Sequence, residues 1–387
     1  MYSKVTDSVY YIGTDDKTID LFESQYVVPN GVSYNSYLIM DEKVAVMDTV
    51  DPRAEEAWFA NLEEALGGRK PDYLVISHLE PDHAGNIQKA AEKYPDMKLV
   101  SNAKVFAFLP QFFDLDLTDR CVTVKEGDTL SLGSHTLAFV MAPMVHWPEV
   151  MVEYETSEKI LFSADGFGKF GALDTEEEWA DEARRYFINI VGKYGAQVQA
   201  LLKKAAGLDI AAICPLHGPV LKENLGYYIG LYDTWSSYRP EEPGIVSASA
   251  SIRGNTMKAA KEMAEILKSK TDIPVKVYDL ARDDMALVIA EAYRYDRLVL
   301  AAASYDGGVF LCMEDFLTHL KYKAFQNRKV GLIENGTWAP SAGRVMKGYL
   351  EEMKNLQVCE TMVTIRSSMK PENRETMEQL ADELLAQ

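Results

Sequence analysis

The chain has 387 residues, 47% of them hydrophobic and 26% charged, with 24 Gly and 15 Pro scattered through it. That length and balance suit a folded α/β protein of two units and exclude a disordered or collagen-like chain. A formal charge of −19 excludes a nucleic-acid or anionic-membrane partner, since both would repel it. No apolar run reaches the roughly 20 residues of a membrane span, and residues 1–10 lack the basic and apolar regions of a signal peptide, so a cytoplasmic location is expected.

From Ser8 to about Tyr154, short apolar runs separated by turns predict strands, among them 36–40, 44–47, 73–77 and 137–141. Helical spacing predicts helices at 52–66, 85–94 and 175–206. The first part therefore reads as a layered sandwich rich in strand. Arg239-Pro240-Glu241-Glu242-Pro243-Gly244 combines missing backbone donors with solvent-seeking charge, and the domains are expected to be 1–242 and 243–387. In the second, strands at 245–250, 274–279, 298–303, 330–334 and 359–365 alternate with helices at 256–269, 284–294, 314–324, 340–353 and 371–386. This rhythm predicts right-handed crossovers, a doubly wound parallel sheet of flavodoxin-like outline, and ligands at the carboxyl ends of its strands. Cys121, Cys214, Cys312 and Cys359 form no C-x-x-C pair and read as reduced, packed thiols.

The densest chemistry is His78-Leu79-Glu80-Pro81-Asp82-His83, directly after an apolar strand. On a regular strand these side chains would split between two faces, whereas an irregular turn lets them converge. Burying such a cluster without a cation would cost several kcal/mol, so a metal site is the economical reading. His146, Asp165 and His217 each follow a predicted strand and fit the same site. Isolated histidines such as His135 and His319 read as structural.

A second set of motifs lies at strand ends of the second half. Ser249-Ala250-Ser251-Ile252-Arg253-Gly254-Asn255-Thr256 runs from a strand into an amphipathic helix, offering hydroxyls and backbone amides for a phosphate, although such turns also serve simply as helix caps. Ala303-Ser304-Tyr305-Asp306-Gly307-Gly308 and Asn335-Gly336-Thr337-Trp338 follow two later strands. Their aromatics could be surface anchors or core plugs; three such loops in order favour a shared ligand site.

The pattern His-x-Glu-x-Asp-His with later His, Asp and His resembles the metallo-β-lactamase-like domain of flavodiiron proteins, and the three loops resemble the FMN site of flavodoxins. Glu80 departs from the pattern of zinc hydrolases in the wider lactamase-like group, and an added carboxylate is a hard, anionic donor that suits iron. The resemblance implies an αββα sandwich followed by a flavodoxin-like sheet. It implies one non-haem iron ion held by His78, Glu80 and His146, a second by Asp82, His83 and His217, and Asp165 bridging. It further implies FMN bound through Ser249, Ser251, Arg253, Gly254, Asn255, Thr256, Ser304, Tyr305, Asp306, Gly307, Gly308, Asn335, Gly336, Thr337 and Trp338, with Tyr305 and Trp338 neighbouring the isoalloxazine. The implied reaction is reduction of dioxygen to water or of nitric oxide to nitrous oxide. Implied partners are a separate rubredoxin-like electron donor, since the chain ends at Gln387 without a fused domain, and a second copy in a head-to-tail homodimer. Tyr186, Tyr194 and Trp147 are candidate proton donors. The rival reading is a zinc hydrolase with a flavodoxin-like appendage, which metal analysis would separate.

Overall fold

The computed structural model describes residues 2–386. The chain divides into two compact units, one of the residues up to Phe187 with Ala196–Tyr232, the other of Ile188–Gly195 with the residues from Asp233 onward.

The first unit is built on two facing sheets. The seven-stranded sheet runs Ser3–Lys4, Val9–Tyr11, Tyr37–Ile39, Ala45–Met47, Tyr73–Val75, Lys98–Asn102, Cys121–Val124, and the five-stranded sheet runs Thr129–Ser131, Thr136–Met141, Met151–Glu155, Ile160–Phe162, Ala212–Cys214. Period-two alternation decides what each face meets. Tyr37, Met47, Val75 and Val100 of one sheet pack with Phe139, Met151, Ile160 and Phe162 of the other in a common core. The alternate residues Leu38, Val46, Leu74 and Leu99 are fully buried too, so the outer side of the large sheet also needs a cover. Parallel pairing of Ala45–Met47 with Tyr73–Val75, and of that strand with Lys98–Asn102, requires helical crossovers on that side. Helices Glu55–Leu66, which buries Trp58, Leu62 and Leu66, and Ile87–Lys93 supply them.

Two sequence expectations change in detail. The helix expected at 175–206 is three pieces: Trp179–Tyr186, a wider-wound and then tighter segment over 187–194, and Gly195–Ala205. A Cβ at Gly195 would lie 2.2 Å from the Ser236 carbonyl oxygen, so this junction needs the close backbone approach that only glycine permits. The helix expected at 85–94 is preceded by a separate turn, Pro81–Ala84, with Pro81 in its first turn, the position where proline's missing N–H is harmless.

At the start of strand Thr136–Met141, opposite the end that carries His146, His135 is buried and partnered. Its Nδ1 lies 2.8 Å from Asp41 Oδ2 and its Nε2 3.0 Å from Ser8 Oγ. Burial opposes ionisation of Asp41, but bonds from the His135 amide and ring, the Glu42 amide and the Ser134 hydroxyl outweigh it and lower its pKa to about 2, from an ordinary 3.8. A depressed acid stabilises the fold fully above its unfolded pKa and loses that contribution as pH falls through the folded value. Asp41→Asn is therefore expected to flatten acid unfolding between about pH 4 and 2, followed by circular dichroism during acid titration.

The second unit has a parallel sheet in the order Val275–Asp279, Glu242–Ala250, Tyr295–Tyr305, Lys329–Asn335, Gln357–Ile365, with Gly308–Val309 pairing antiparallel to Tyr295–Tyr305. Numbered along the chain this is 2-1-3-4-5, the doubly wound order whose switch point lies beside the first strand. Helices Asn255–Lys270 and Pro371–Leu385 close one side over Ile245, Val299, Ile333 and Val363.

Candidate metal and flavin sites

Four segments of the first unit bring the acids and imidazoles to one end of the sandwich. They are the turn after Tyr73–Val75, the loop between Thr136–Met141 and Met151–Glu155, the loop after Ile160–Phe162, and the loop after Ala212–Cys214. Ser77 O accepts from Met151 N at 3.0 Å and Cys214 O from Ser163 N at 3.2 Å, which staples the loops together across strands and sheets. Met144, Ala164 and Phe167 hold positive φ angles of 67°, 49° and 66°. Non-glycine residues keep this conformation only where the surroundings impose it, and it marks the two loops that carry His146 and Asp165.

The ligand atoms fall into two groups, His78, Glu80, His146 and Asp165 in one and Asp82, His83 and His217 in the other. Asp165 faces both. Its Oδ2 lies 3.1 Å from His78 Nε2 and 3.3 Å from His146 Nε2, while Oδ1 lies 3.3 Å from His83 Nε2 and 3.8 Å from His217 Nε2. His83 Nε2 and His217 Nε2 are 3.0 Å apart, and Asp82 Oδ2 is 3.3 Å from each. Glu80 Oε2 is 2.9 Å from His146 Nε2. His78, His217 and Asp165 are fully buried, whereas the Glu80, His146 and Asp82 side chains keep 14%, 10% and 11% exposure, so the cluster opens to solvent on their side.

Only His83–His217 and His146–Glu80 have hydrogen-bond geometry; the other contacts are close without being directed hydrogen bonds. His78 Nε2, both Asp165 oxygens and both Asp82 oxygens are buried with no properly oriented partner. Lone pairs converging on shared points without donors are the arrangement a cation satisfies, and the donor set of nitrogen and oxygen suits iron or zinc. Electrostatics agree. Burial opposes charge on His78 and His146, yet the Asp165 and Glu80 carboxylates raise the first well above its ordinary pKa and the second to about 10. Glu80 is lowered to about 2 against burial by His146 and His78, and Asp165 is held well below the carboxylate range against burial by His78, His146 and His83. The pocket thus has a strong negative potential that protons or metal ions balance, and the two compete for the same lone pairs.

A second layer fixes the imidazoles, and sequence reasoning did not name it. His217 Nδ1 lies 2.7 Å from Ser33 O; only an N–H can bond a carbonyl, so the ring exposes its Nε2 lone pair to the cluster. Asn35 Nδ2 donates to Pro215 O and Gly218 O at 2.8 and 2.7 Å and holds the loop that carries that ring. Ser77 Oγ sits 3.3 Å from His78 Nδ1 and donates to Asp48 Oδ2 at 2.8 Å. Ser77→Ala is expected to weaken metal binding at the candidate site about 10- to 100-fold, the usual effect of losing such support, measured by chelator competition. Aromatic rings wall the site: Phe22 and Tyr186 each lie 5.4 Å from the His217 ring and Trp147 6.4 Å from that of His78. Tyr194 lies in the 188–195 segment of the second unit.

In the second unit, the three loops meet at the carboxyl ends of their strands around a hollow of about 550 Å³. Ser251, Arg253, Asn255 and Thr256 line it from the first loop, Ser304, Tyr305, Asp306 and Gly307 from the second, and Asn335, Gly336, Thr337 and Trp338 from the third. Ser249 is buried in its strand, Gly254 precedes the helix, and Gly308 pairs with Tyr305. Helix Asn255–Lys270 has no side-chain cap, and Gly254 before it has φ +87°. Its first amides are thus available to an anion, the chemistry a phosphate needs. Trp338 is 87% exposed and Tyr305 43%, flat rings free to border a planar ligand. Ser304 Oγ accepts from Ser341 N and Ala342 N at 2.8 and 3.1 Å, capping helix Ala342–Glu351 beyond the third loop. Ser367, unnamed in the sequence reading, also lines the hollow and bonds Thr337 through its hydroxyl at 2.7 Å.

Residues 32–218 match the family described as ODP family beta lactamase. The chain is 26% identical to the anaerobic nitric oxide reductase flavorubredoxin of Vibrio vulnificus, over 96% of this chain and 76% of that protein. Its fold matches the rubredoxin oxygen:oxidoreductase of Desulfovibrio gigas with a TM-score of 0.92 at 25% identity, covering 99% of this chain and 98% of the other. A flavo di-iron protein from Thermotoga maritima matches with a TM-score of 0.90 at 22% identity, over 99% and 97% of the two chains. These likenesses run through both units and support the flavodiiron family.

Proposed function

We propose that this oxidoreductase reduces dioxygen or nitric oxide at a two-iron site fed by FMN. His78, Glu80 and His146 would hold one iron, Asp82, His83 and His217 the other, with Asp165 between them. The observation that carries the reading is the division of Asp165, one oxygen toward each group of imidazoles. When bound, the iron pair and FMN would supply electrons and open coordination positions for reducing dioxygen to water or nitric oxide to nitrous oxide.

The chain's own residues prepare that chemistry. The Ser33 carbonyl selects the His217 tautomer that offers Nε2, and Asp48 with Ser77 orients His78. Glu80 contributes a hard anionic donor on the more open side of the cluster. Phe22, Tyr186 and Trp147 keep bulk water from its buried side. Burial, with the Asp165, Glu80 and Asp82 charges, holds the Tyr186 phenol well above its ordinary pKa, so it keeps its proton and would be able to donate a hydrogen bond. The uncapped helix at Asn255 would take the FMN phosphate, and Tyr305 and Trp338 would border its ring.

The donor would be a rubredoxin-like protein, as the names of both the Vibrio and Desulfovibrio relatives suggest. Exposed Trp338 and Tyr305 fit a head-to-tail homodimer in which a second copy covers the flavin; activity per chain that stays constant on dilution to a monomer would refute it. Among the described residues no helix is long and apolar enough to cross a membrane, and four free cysteines suit a reducing cytoplasm. The hydrolase alternative finds no support in Glu80 or in the relatives, whose names describe reductases.

The test is to reduce the loaded protein without oxygen, add dioxygen or nitric oxide in separate runs, and follow gas consumption. Turnover of at least one gas is expected. Reoxidation no faster than that of free FMN, with neither gas consumed, would refute the function.

A further inference from the structure

The first unit contains an apolar cavity of about 350 Å³ that the metal chemistry described above does not use. Its floor is the outer face of the five-stranded sheet, where Val152, Leu161 and Ile213 are buried beneath helices Gly195–Ala205 and Leu225–Ser236. Its outer lip, Leu201, Leu208 and Ile229, is only half-buried. The inner end is Val145, Gly166, Phe167 and Tyr232, all buried. Val145 directly precedes His146, and Gly166 directly follows Asp165.

Two features set this space apart from ordinary packing. Protein interiors normally fill at crystal-like density, so an unfilled layer of this size is a standing loss of dispersion contacts. The polar atoms at its inner end are already engaged: Ser163 Oγ donates to Gly166 O at 2.6 Å, and Phe167 N donates to Tyr232 Oη at 2.5 Å while the two rings stack at 4.2 Å. A water molecule would find few partners there, and an apolar cavity of about 150 Å³ is already known to stay dry and take up xenon or benzene.

We infer that this cavity collects an apolar diatomic gas from solvent and brings it beside the loops that carry His146 and Asp165, an inference that rests on the proposed function. Dioxygen and nitric oxide dissolve better in hydrocarbon than in water, so a dry apolar space raises their local concentration without any polar contact. The half-buried lip admits the gas, and the loop residues at the inner end separate it from the ligand cluster. Leu202 and Ile229, which line the space from the two helices, control how much of it is open.

The test pressurises crystals of the full, loaded chain with xenon and measures gas kinetics of Leu202→Trp and Ile229→Trp. Xenon is expected between the sheet and the two helices. Each tryptophan is expected to reduce xenon occupancy and to lower kcat/KM for the gas about fivefold, with kcat at saturating gas nearly unchanged. Iron and FMN contents equal to those of the parent protein show that the variants fold. Absence of xenon, a co-purified hydrocarbon chain filling the space, or variants that exclude xenon but keep the parent kcat/KM would overturn the inference. Xenon in a loaded protein that reduces neither gas would instead remove the functional reading while upholding the cavity's capacity for gas.

Discussion

Replacing Asp165 by alanine is expected to empty both metal positions at once while FMN stays bound. The reason is geometric. One oxygen of this carboxylate faces His78 and His146 and the other faces His83 and His217, so its removal takes a donor from each group, whereas loss of any single imidazole takes a donor from one. It also removes the buried anion that favours positive charge on His78, His83 and His146. Supporting residues alone are worth about 10- to 100-fold in affinity, and a ligand shared by two ions should exceed that, so metal affinity is expected to fall more than about a hundredfold, with activity lost. The fold should survive, because neither oxygen makes a directed hydrogen bond to the rest of the protein. Iron analysis, flavin absorbance and circular dichroism on one preparation check all three statements. Two irons retained would contradict the bridging role.

Ser251→Glu is expected to do the converse, expelling FMN while leaving the metals in place. Ser251 is 8% exposed, and its Oγ accepts from Gly254 N at 3.0 Å on the loop that leads into the uncapped helix. A carboxylate there would occupy amides otherwise free for a phosphate and repel the phosphate charge, with the positive end of the helix now satisfied internally. FMN affinity is expected to drop at least about a hundredfold, which is about 2.7 kcal/mol, read by fluorescence titration of the apoprotein. Iron content should match the parent, since Ser251 and the proposed metal ligands belong to different units. Gas reduction driven by a rubredoxin-like donor should cease with it.

Much of this was legible in the chain itself because the informative residues are chemically costly or rhythmically placed. His78, Glu80, Asp82 and His83 crowd into six positions after an apolar strand, and no apolar core explains such a run. The alternation after Ile245 is regular enough to predict the parallel sheet, although strand Tyr295–Tyr305 and helix Leu311–Tyr322 begin three residues earlier than expected. What escaped reading depends on distant backbone. Ser33, Asn35, Asp48 and Ser77 are ordinary residue types whose roles exist only once Leu216–Gly218 and the His78 turn are folded against them. The placement of Asp82 and His83 in a helical turn follows from Pro81, a signal present in the sequence and open to reading as a plain loop. The hydroxyl of Ser304 caps the distant helix Ala342–Glu351, whose first amides fold beside it, which residue type alone does not disclose.

The most direct test of the central claim is metal analysis joined to Mössbauer spectroscopy on protein prepared without oxygen and then oxidised. Two iron atoms per chain, coupled as a single diferric pair and both lost in Asp165→Ala, is the predicted result. Zinc in place of iron, or irons that behave as isolated ions, would contradict it.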